Sequence, residues 1–271
     1  MSEWSRAPAH AKVNLALVVG SPRDDGLHEV ATVLQRLELA DTVGLRPAAA
    51  VKVSGFADDT LVRHALEEVE RATGATFEAT IDKRVPVAAG LGGGSSDAAT
   101  ALRLANGLLA EPLPFDVLHE VAVSLGADVP FFLREGPCLG TGSGTTLRPL
   151  ALPLDYAVLL VLPHDVRKAS TADVYASFDE RRGAAGFAER VSMLEQRLTR
   201  VGEPGDLGAL PPNDLASSPL SATLRELGAF RADVSGAGPV LYGLFDEVDA
   251  ARSAAAGLDR VGRTWVTRPV P

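Results

Sequence analysis

The sequence predicts an α+β fold divided into two domains, about 1–150 and 151–271, and three observations predict it. A glycine run in the first half stands between a strand-like segment and a helix-like one. Strand and helix patterns are mixed along the chain, strands pairing with helices on one side, which suggests an open antiparallel or mixed sheet in the second half. The proline-punctuated stretch Pro149 to Pro153 marks the best boundary between the halves. A chain of 271 residues exceeds the usual size of one core, so two domains are allowed by length.

In order, Ala9 to Val19 alternates Val13, Leu15 and Leu17 with Lys12 and Asn14, a strand with one buried face and Lys12 projecting from the other. The turn-forming PRDDG leads to a second strand, Glu29 to Leu39, and short strands follow at Asp41 to Leu45 and Val51 to Ser54. Leu61, Ala65, Leu66 and Val69 recur at helical spacing between Thr60 and Thr73, and Gly74 stops that helix. Phe77 to Lys83 alternates like a strand and delivers the glycine run, after which a helix runs from about Ser95 to Asn106 and another from Phe115 to Leu125. Strands near Gly136 to Gly140 and Thr145 to Leu150 complete the first half. The second half opens with the apolar strand Tyr156 to Leu162. It continues with helices at Thr171 to Ser177, Phe187 to Thr199, Leu220 to Leu227 and Val248 to Leu258, and with strands at Ala232 to Ser235, Val240 to Phe245 and Thr264 to Thr267.

Composition narrows the function. A formal charge of −9 with no basic stripe argues against nucleic acid as a partner. No apolar run reaches membrane-spanning length and the first residues lack the apolar core of a secretion signal, so a cytoplasmic protein without membrane partner is expected. Cys138 is the only cysteine, which excludes an internal disulfide.

The chemistry concentrates in Pro86, Val87, Ala88, Ala89, Gly90, Leu91, Gly92, Gly93, Gly94, Ser95 and Ser96. Glycines can turn successive backbone N–H groups inward at φ angles closed to other residues, and the helix that follows adds its free donors and the positive end of its dipole. The natural occupant of such a cradle is a phosphate. A glycine hinge with Ser95 as an ordinary N-cap is the alternative, but a cap does not require four glycines within five residues. No Gly-Lys-Ser/Thr closes the run, and Gly90-Leu91-Gly92 lacks the third glycine of a dinucleotide fingerprint. Taken alone, Asp128 beyond a helix end reads also as a turn residue, and Lys12 on a strand reads also as a solvated charge.

The pattern Pro86-x-x-x-Gly90-Leu91-Gly92-Gly93-Gly94-Ser95-Ser96 resembles the phosphate loop of the small-molecule kinase superfamily that includes galactokinase, homoserine kinase, mevalonate kinase and phosphomevalonate kinase. Ala9 to Leu15 and Val234 to Pro239 resemble its other two motifs, in the same order. Within that group the chain is most similar to the 4-diphosphocytidyl-2-C-methyl-D-erythritol kinases of non-mevalonate isoprenoid synthesis. Lys12, Asn14, Arg23, Asp25, Gly26 and His28 match their opening, Lys83, Pro86 and Gly90 to Ser96 their phosphate loop, Gly126 to Pro130 their Gly-Ala-Asp-Val-Pro, and Asn213 and Asp214 their late Asn-Asp pair.

The resemblance implies the two-domain fold of that superfamily, with ATP and Mg²⁺ and a cytidine diphosphate polyol bound in a cleft between the domains. It implies Lys12 and Asp128 as the catalytic pair and Pro86 to Ser96 as the ATP loop, with Ser96 reaching Mg²⁺ through the nucleotide. Asn14, His28, Tyr175 and Gly236 would meet the substrate, His28 by a hydrogen bond to cytosine and Tyr175 by covering one face of it. Ser235 to Pro239 would close over the phosphates, although a tight strand-joining turn also favours Gly236 and Gly238. A monomer or homodimer is expected. Two departures stand out: Leu27 replaces the family's tyrosine, and Gly140 to Thr145 lacks its frequent glutamates. Another acceptor within the superfamily, or a silent nucleotide-binding protein, remains the alternative.

Overall fold

A computed structural model describes residues 3–56, 60–166 and 170–271. By compactness the chain forms two units that interleave in sequence, one of Met1–Ala11, Leu39–Val87 and Gly92–Glu135, the other of Lys12–Glu38, Ala88–Leu91 and Gly136–Pro271. Two long strands, β1 (Ser5–Pro22) and β2 (His28–Pro47), contribute residues to both. The two segments expected at Glu29 to Leu39 and Asp41 to Leu45 are therefore one strand.

In the first unit, Thr42–Pro47 of β2 pairs antiparallel with β4 (Phe77–Asp82), and the short β3 (Lys52–Ser54) lies parallel to β4. Helix α1 (Thr60–Thr73) buries Val62, Ala65, Leu66 and Val69, and α2 (Gly93–Leu108), packed against it, buries Ala98, Ala101, Leu102 and Ala105. Alanines at these positions let the two helices approach closely, and burying large aliphatic side chains opposite them stabilises the pair by about 1.5–3 kcal/mol each. Helix α3 (Phe115–Leu125) completes the unit and ends at its C-cap Gly126.

In the second unit, Val30–Leu34 of β2 pairs with β5 (Cys138–Gly142), and β5 with β6 (Thr146–Pro149). A separate four-stranded antiparallel sheet has the order β10-β7-β9-β8, with β7 at Ala157–Pro163, β8 at Arg231–Val234, β9 at Leu241–Phe245 and β10 at Gly262–Thr267. Leu224 of α6 (Leu220–Glu226) and Ala251 and Ala254 of α7 (Val248–Ala256) close over Leu159, Val161, Val234, Leu241 and Phe245 to make its core. Helix α4 (Thr171–Glu180) starts in a reciprocal capping box of Ser170 and Asp173 and drops Phe178 against Leu17, Val19 and Val30; α5 (Phe187–Leu198) follows it. The two-residue β11 (Pro269–Val270), which no sequence pattern announced, pairs with Leu37 and Arg36 of β2.

Candidate active site

The glycine run divides between the units. In the first, α2 begins at Gly93 rather than near Ser95, because Gly92 takes the left-handed conformation (φ 68°, ψ 17°) as its N-cap. No side chain caps this start, so the first-turn N–H groups are presented without a competing protein oxygen of that kind. Ser95 is half-buried, whereas Ser96 is buried and hydrogen-bonds back to the Gly92 carbonyl through its own N–H at 2.9 Å. Glycine is required here for its positive φ at Gly90 and Gly92, not at Gly93 or Gly94, which are helical. Pro86 is half-buried and Val87 exposed.

In the second unit the Ala88–Leu91 segment is stitched to the turn Ser235–Pro239. Val240 N–H donates to Ala89 O at 3.2 Å, and the Ser235 hydroxyl to Gly90 O at 2.9 Å. Ala88 itself has φ 58°, a costly conformation for a residue with a side chain. The two segments approach so closely that a methyl group at Gly90 would overlap the Ser235 carbonyl oxygen.

Lys12 and Asn14 lie on the face of β1 opposite Val13 and Leu15, and that face is buried as well: Lys12 is 3% and Asn14 5% exposed. The one-sided strand expected from the alternation is thus covered on both sides. Lys12 Nζ donates to Asn14 Oδ1 at 2.7 Å, Asn14 Nδ2 donates to Thr32 Oγ1 at 2.8 Å, and the Thr32 hydroxyl donates to Ala16 O at 2.9 Å. This chain fixes the Asn14 amide. Thr32 spends its only proton on a carbonyl, so it must accept from Asn14, and the amide oxygen is left facing the ammonium. Gly236 belongs to the same group: a Cβ on it would stand 3.4 Å from Asn14 Oδ1 and 3.7 Å from Lys12 Nζ.

Asn213 holds the Gly236 turn. Its Nδ2 donates to Val234 O at 2.9 Å and Gly236 O at 2.7 Å, and its Oδ1 accepts from Leu215 N–H at 2.8 Å. Its neighbour Asp214 accepts the Val19 N–H at 2.9 Å and pairs with Arg190 at 3.1 Å. The Asn-Asp pair therefore positions backbone, a role the sequence motif alone did not disclose.

His28, at the start of β2, has its Nε2 2.9 Å from Asp179 Oδ1 on α4. An ionised carboxylate only accepts, so Nε2 carries a proton, and in the neutral tautomer Nδ1 is the ring's acceptor. Tyr175, one helical turn before Asp179, lies on the His28 ring with centroids 4.5 Å apart, and Phe178 meets its edge at 6.1 Å. The structure thus brings Tyr175 together with His28. Leu27 is 52% exposed in the turn that Asp25 Oδ1 and Arg23 close around it.

Asp128 is half-buried in the first unit, in the Gly126–Val129 turn between α3 and the short 3-10 helix Pro130–Leu133. The same unit contains a cluster that sequence reasoning missed. Lys83 Nζ lies 2.6 Å from Asp41 Oδ2 and 2.7 Å from Asp97 Oδ2, both carboxylates being fully buried. Burial alone would lower the Lys83 pKa, but the charges and hydrogen bonds of Asp97 and Asp41 outweigh it and hold the ammonium above its ordinary range. Asp41 Oδ1 also accepts the N–H groups of Arg84 at 2.5 Å and Val85 at 2.8 Å.

Among the described residues no group of three His, Cys, Asp or Glu side chains is arranged to hold a metal, and no helix is long and apolar enough to cross a membrane. Ser95 and Ser96, in the first turn of α2, carry hydroxyls, a hard donor type that suits a cation held chiefly by phosphate oxygens.

Comparison with known proteins identifies GHMP kinases N terminal domain over residues 60–136 and GHMP kinases C terminal over residues 195–264. The chain is similar to the 4-diphosphocytidyl-2-C-methyl-D-erythritol kinase of Chlorobium chlorochromatii, 33% identical with 97% of this chain and 96% of that protein covered. It is 37% identical to the protein of that name from Rhodococcus jostii, with 98% and 92% covered. A crystal structure of 4-(cytidine 5'-diphospho)-2C-methyl-D-erythritol kinase superposes with a TM-score of 0.80 at 31% identity, covering 98% of this chain and 100% of that one.

Proposed function

We propose a reaction from one premise: this chain belongs to the 4-diphosphocytidyl-2-C-methyl-D-erythritol kinases, within the GHMP kinases. It is an ATP-dependent small-molecule kinase that phosphorylates the 2-hydroxyl of 4-diphosphocytidyl-2-C-methyl-D-erythritol, a step of non-mevalonate isoprenoid precursor synthesis. The observation that carries the substrate is similarity over nearly the whole length, 31% to 37% identical, to proteins and a solved structure of that name.

Phosphoryl transfer asks for cradled phosphates, neutralised charge and an aligned acceptor oxygen. In our reading the backbone of residues 86–96 holds the ATP phosphates, which the uncapped, glycine-led start of α2 supports. Ser96, together with the ATP phosphate oxygens, would hold Mg²⁺, which would supply charge neutralisation. Asp128 accepts or orients the proton of the acceptor hydroxyl. Lys12 counters charge on the migrating group; the support is an ammonium buried yet held in one orientation by Asn14. The Nδ1 acceptor of His28 suits the exocyclic amino group of cytosine, and Tyr175 supports that ring from behind. Asn14 and Gly236 meet the substrate beside Lys12. A division near residue 150 is our proposal for the family domains, supported by the two family models falling on either side of it. On the same reading the protein acts in the cytoplasm as a monomer or homodimer.

The test is a coupled ATP-consumption assay with the diphosphocytidyl substrate beside homoserine and mevalonate, run on wild type, Asp128→Asn and Lys12→Ala. Turnover is expected with the first acceptor alone, and each variant should lose at least about a hundredfold in kcat with nucleotide affinity nearly kept. Preference for another acceptor would overturn the substrate, and near-normal turnover in Asp128→Asn would overturn its role.

A further inference from the structure

The buried cluster of Asp41, Lys83 and Asp97 lies outside every role assigned so far. Its three members come from different elements: Asp41 from β2, Lys83 from just beyond β4, and Asp97 from the first turns of α2. Two carboxylates with no exposed side-chain surface face one lysine whose side chain is 13% exposed. A fold does not need this arrangement for stability, since well-packed apolar residues commonly serve as well. What ionic groups add is fixed geometry. Here the geometry bears on one segment. Asp41 Oδ1 grips the N–H groups of Arg84 and Val85, where the chain enters the glycine run, and Lys83 grips Asp97, where it leaves. Both donations of Lys83 that are directed at carboxylates are short, so two of the ammonium's three protons are engaged with Asp41 and Asp97.

We propose that Asp41, Lys83 and Asp97 form a clamp that fixes the two ends of the glycine run in its ATP-binding conformation, making all three positioning residues for the nucleotide. The proposal rests on the assignment of residues 86–96 to the ATP phosphates. Without the clamp the run must be ordered by ATP itself, and that cost appears as weaker nucleotide binding, not as slower transfer once bound. The acceptor is untouched by it.

Asp97→Ala tests this, because it leaves Lys83 and Asp41 as a one-to-one ion pair and no carboxylate stranded. Expected are an increase of about tenfold in KM for ATP, the same weakening of a non-hydrolysable ATP analogue by calorimetry, kcat within about twofold, and an unchanged KM for the acceptor. Asp97→Asn, which still accepts from Lys83, should recover most of the affinity. If Asp97→Ala does not fold, Asp97→Ser, too short to reach the ammonium, carries the same expectation. Analogue affinity unchanged in a folded Ala or Ser variant, or equal losses for nucleotide and acceptor, would overturn the clamp. Gly93→Val separates this from failure of the underlying assignment. Its side chain would crowd Val85 and Lys83 at the cradle itself, so normal analogue binding there would refute the phosphate loop, whereas loss there with unchanged Asp97→Ala refutes the clamp alone.

Discussion

Replacing Thr32 by valine removes one hydroxyl from the interior and changes almost nothing in shape. Thr32 is 4% exposed, accepts from Asn14 at 2.8 Å and donates to Ala16 O at 2.9 Å. In the variant the Asn14 amide group faces a methyl. Flipping the amide does not help, because it would turn the NH₂ toward the Lys12 ammonium, which the amide oxygen now meets at 2.7 Å. Leaving one buried donor unsatisfied costs about 1–3 kcal/mol, and at about 2–4 °C per kcal/mol for a chain of this size class the melting temperature should fall by roughly 2–12 °C. If the loosened Asn14 gives up about 1.4 kcal/mol of the hold on the ammonium in the transition state, kcat drops about tenfold. Thermal melts and steady-state kinetics on wild type, Thr32→Val and Thr32→Ser measure both, with serine expected to restore most of each. A variant that melts lower but keeps kcat within about twofold would refute the relay, leaving Thr32 a purely structural residue. An unchanged melting temperature would refute the hydrogen bonds themselves.

Gly90→Ala should destabilise the protein by more than the roughly 1 kcal/mol that a left-handed alanine costs, since the new methyl overlaps the Ser235 carbonyl as well; a melting temperature equal to wild type would rule out the close approach. Leu27→Tyr should lower KM for the diphosphocytidyl substrate by up to about tenfold with kcat nearly unchanged, because a ring stacked on cytosine is remote from the reacting oxygen and contributes equally to ground and transition states. Because Leu27 is already half-exposed in a polar turn, the substitution has room. No change in KM would mean that the base does not lie against this turn.

Helices α1 and α3 were legible to the residue because their signals are local, an apolar repeat closed by a glycine, at Gly74 and at Gly126. Helix α2 starts two residues before the Ser95 that propensity favours, glycine being a poor helix former, yet Gly93 and Gly94 are helical after the left-handed Gly92. Strand β11 is too short for any periodicity and exists only through pairing with β2 far away in sequence. Candidate site residues were legible where a motif is contiguous, as in residues 86–96. Where partners are distant they were not: Lys83 stands 42 residues from Asp41 and 14 from Asp97, and no local pattern links the three.

The most informative failure is β1. Alternation along Val13, Asn14 and Leu15 is the mark of a half-wet strand, and by that rule Lys12 belongs in solvent. It is buried instead, with its Asn14 partner oriented by a threonine from the neighbouring strand. Desolvating an ammonium is unfavourable, and a strand chosen for stability alone would carry an aliphatic residue there. A polar stripe that looks solvated in sequence but is sealed in the fold is what a site built for chemistry would require, and it supports the role proposed for Lys12 from its surroundings as well as from family resemblance.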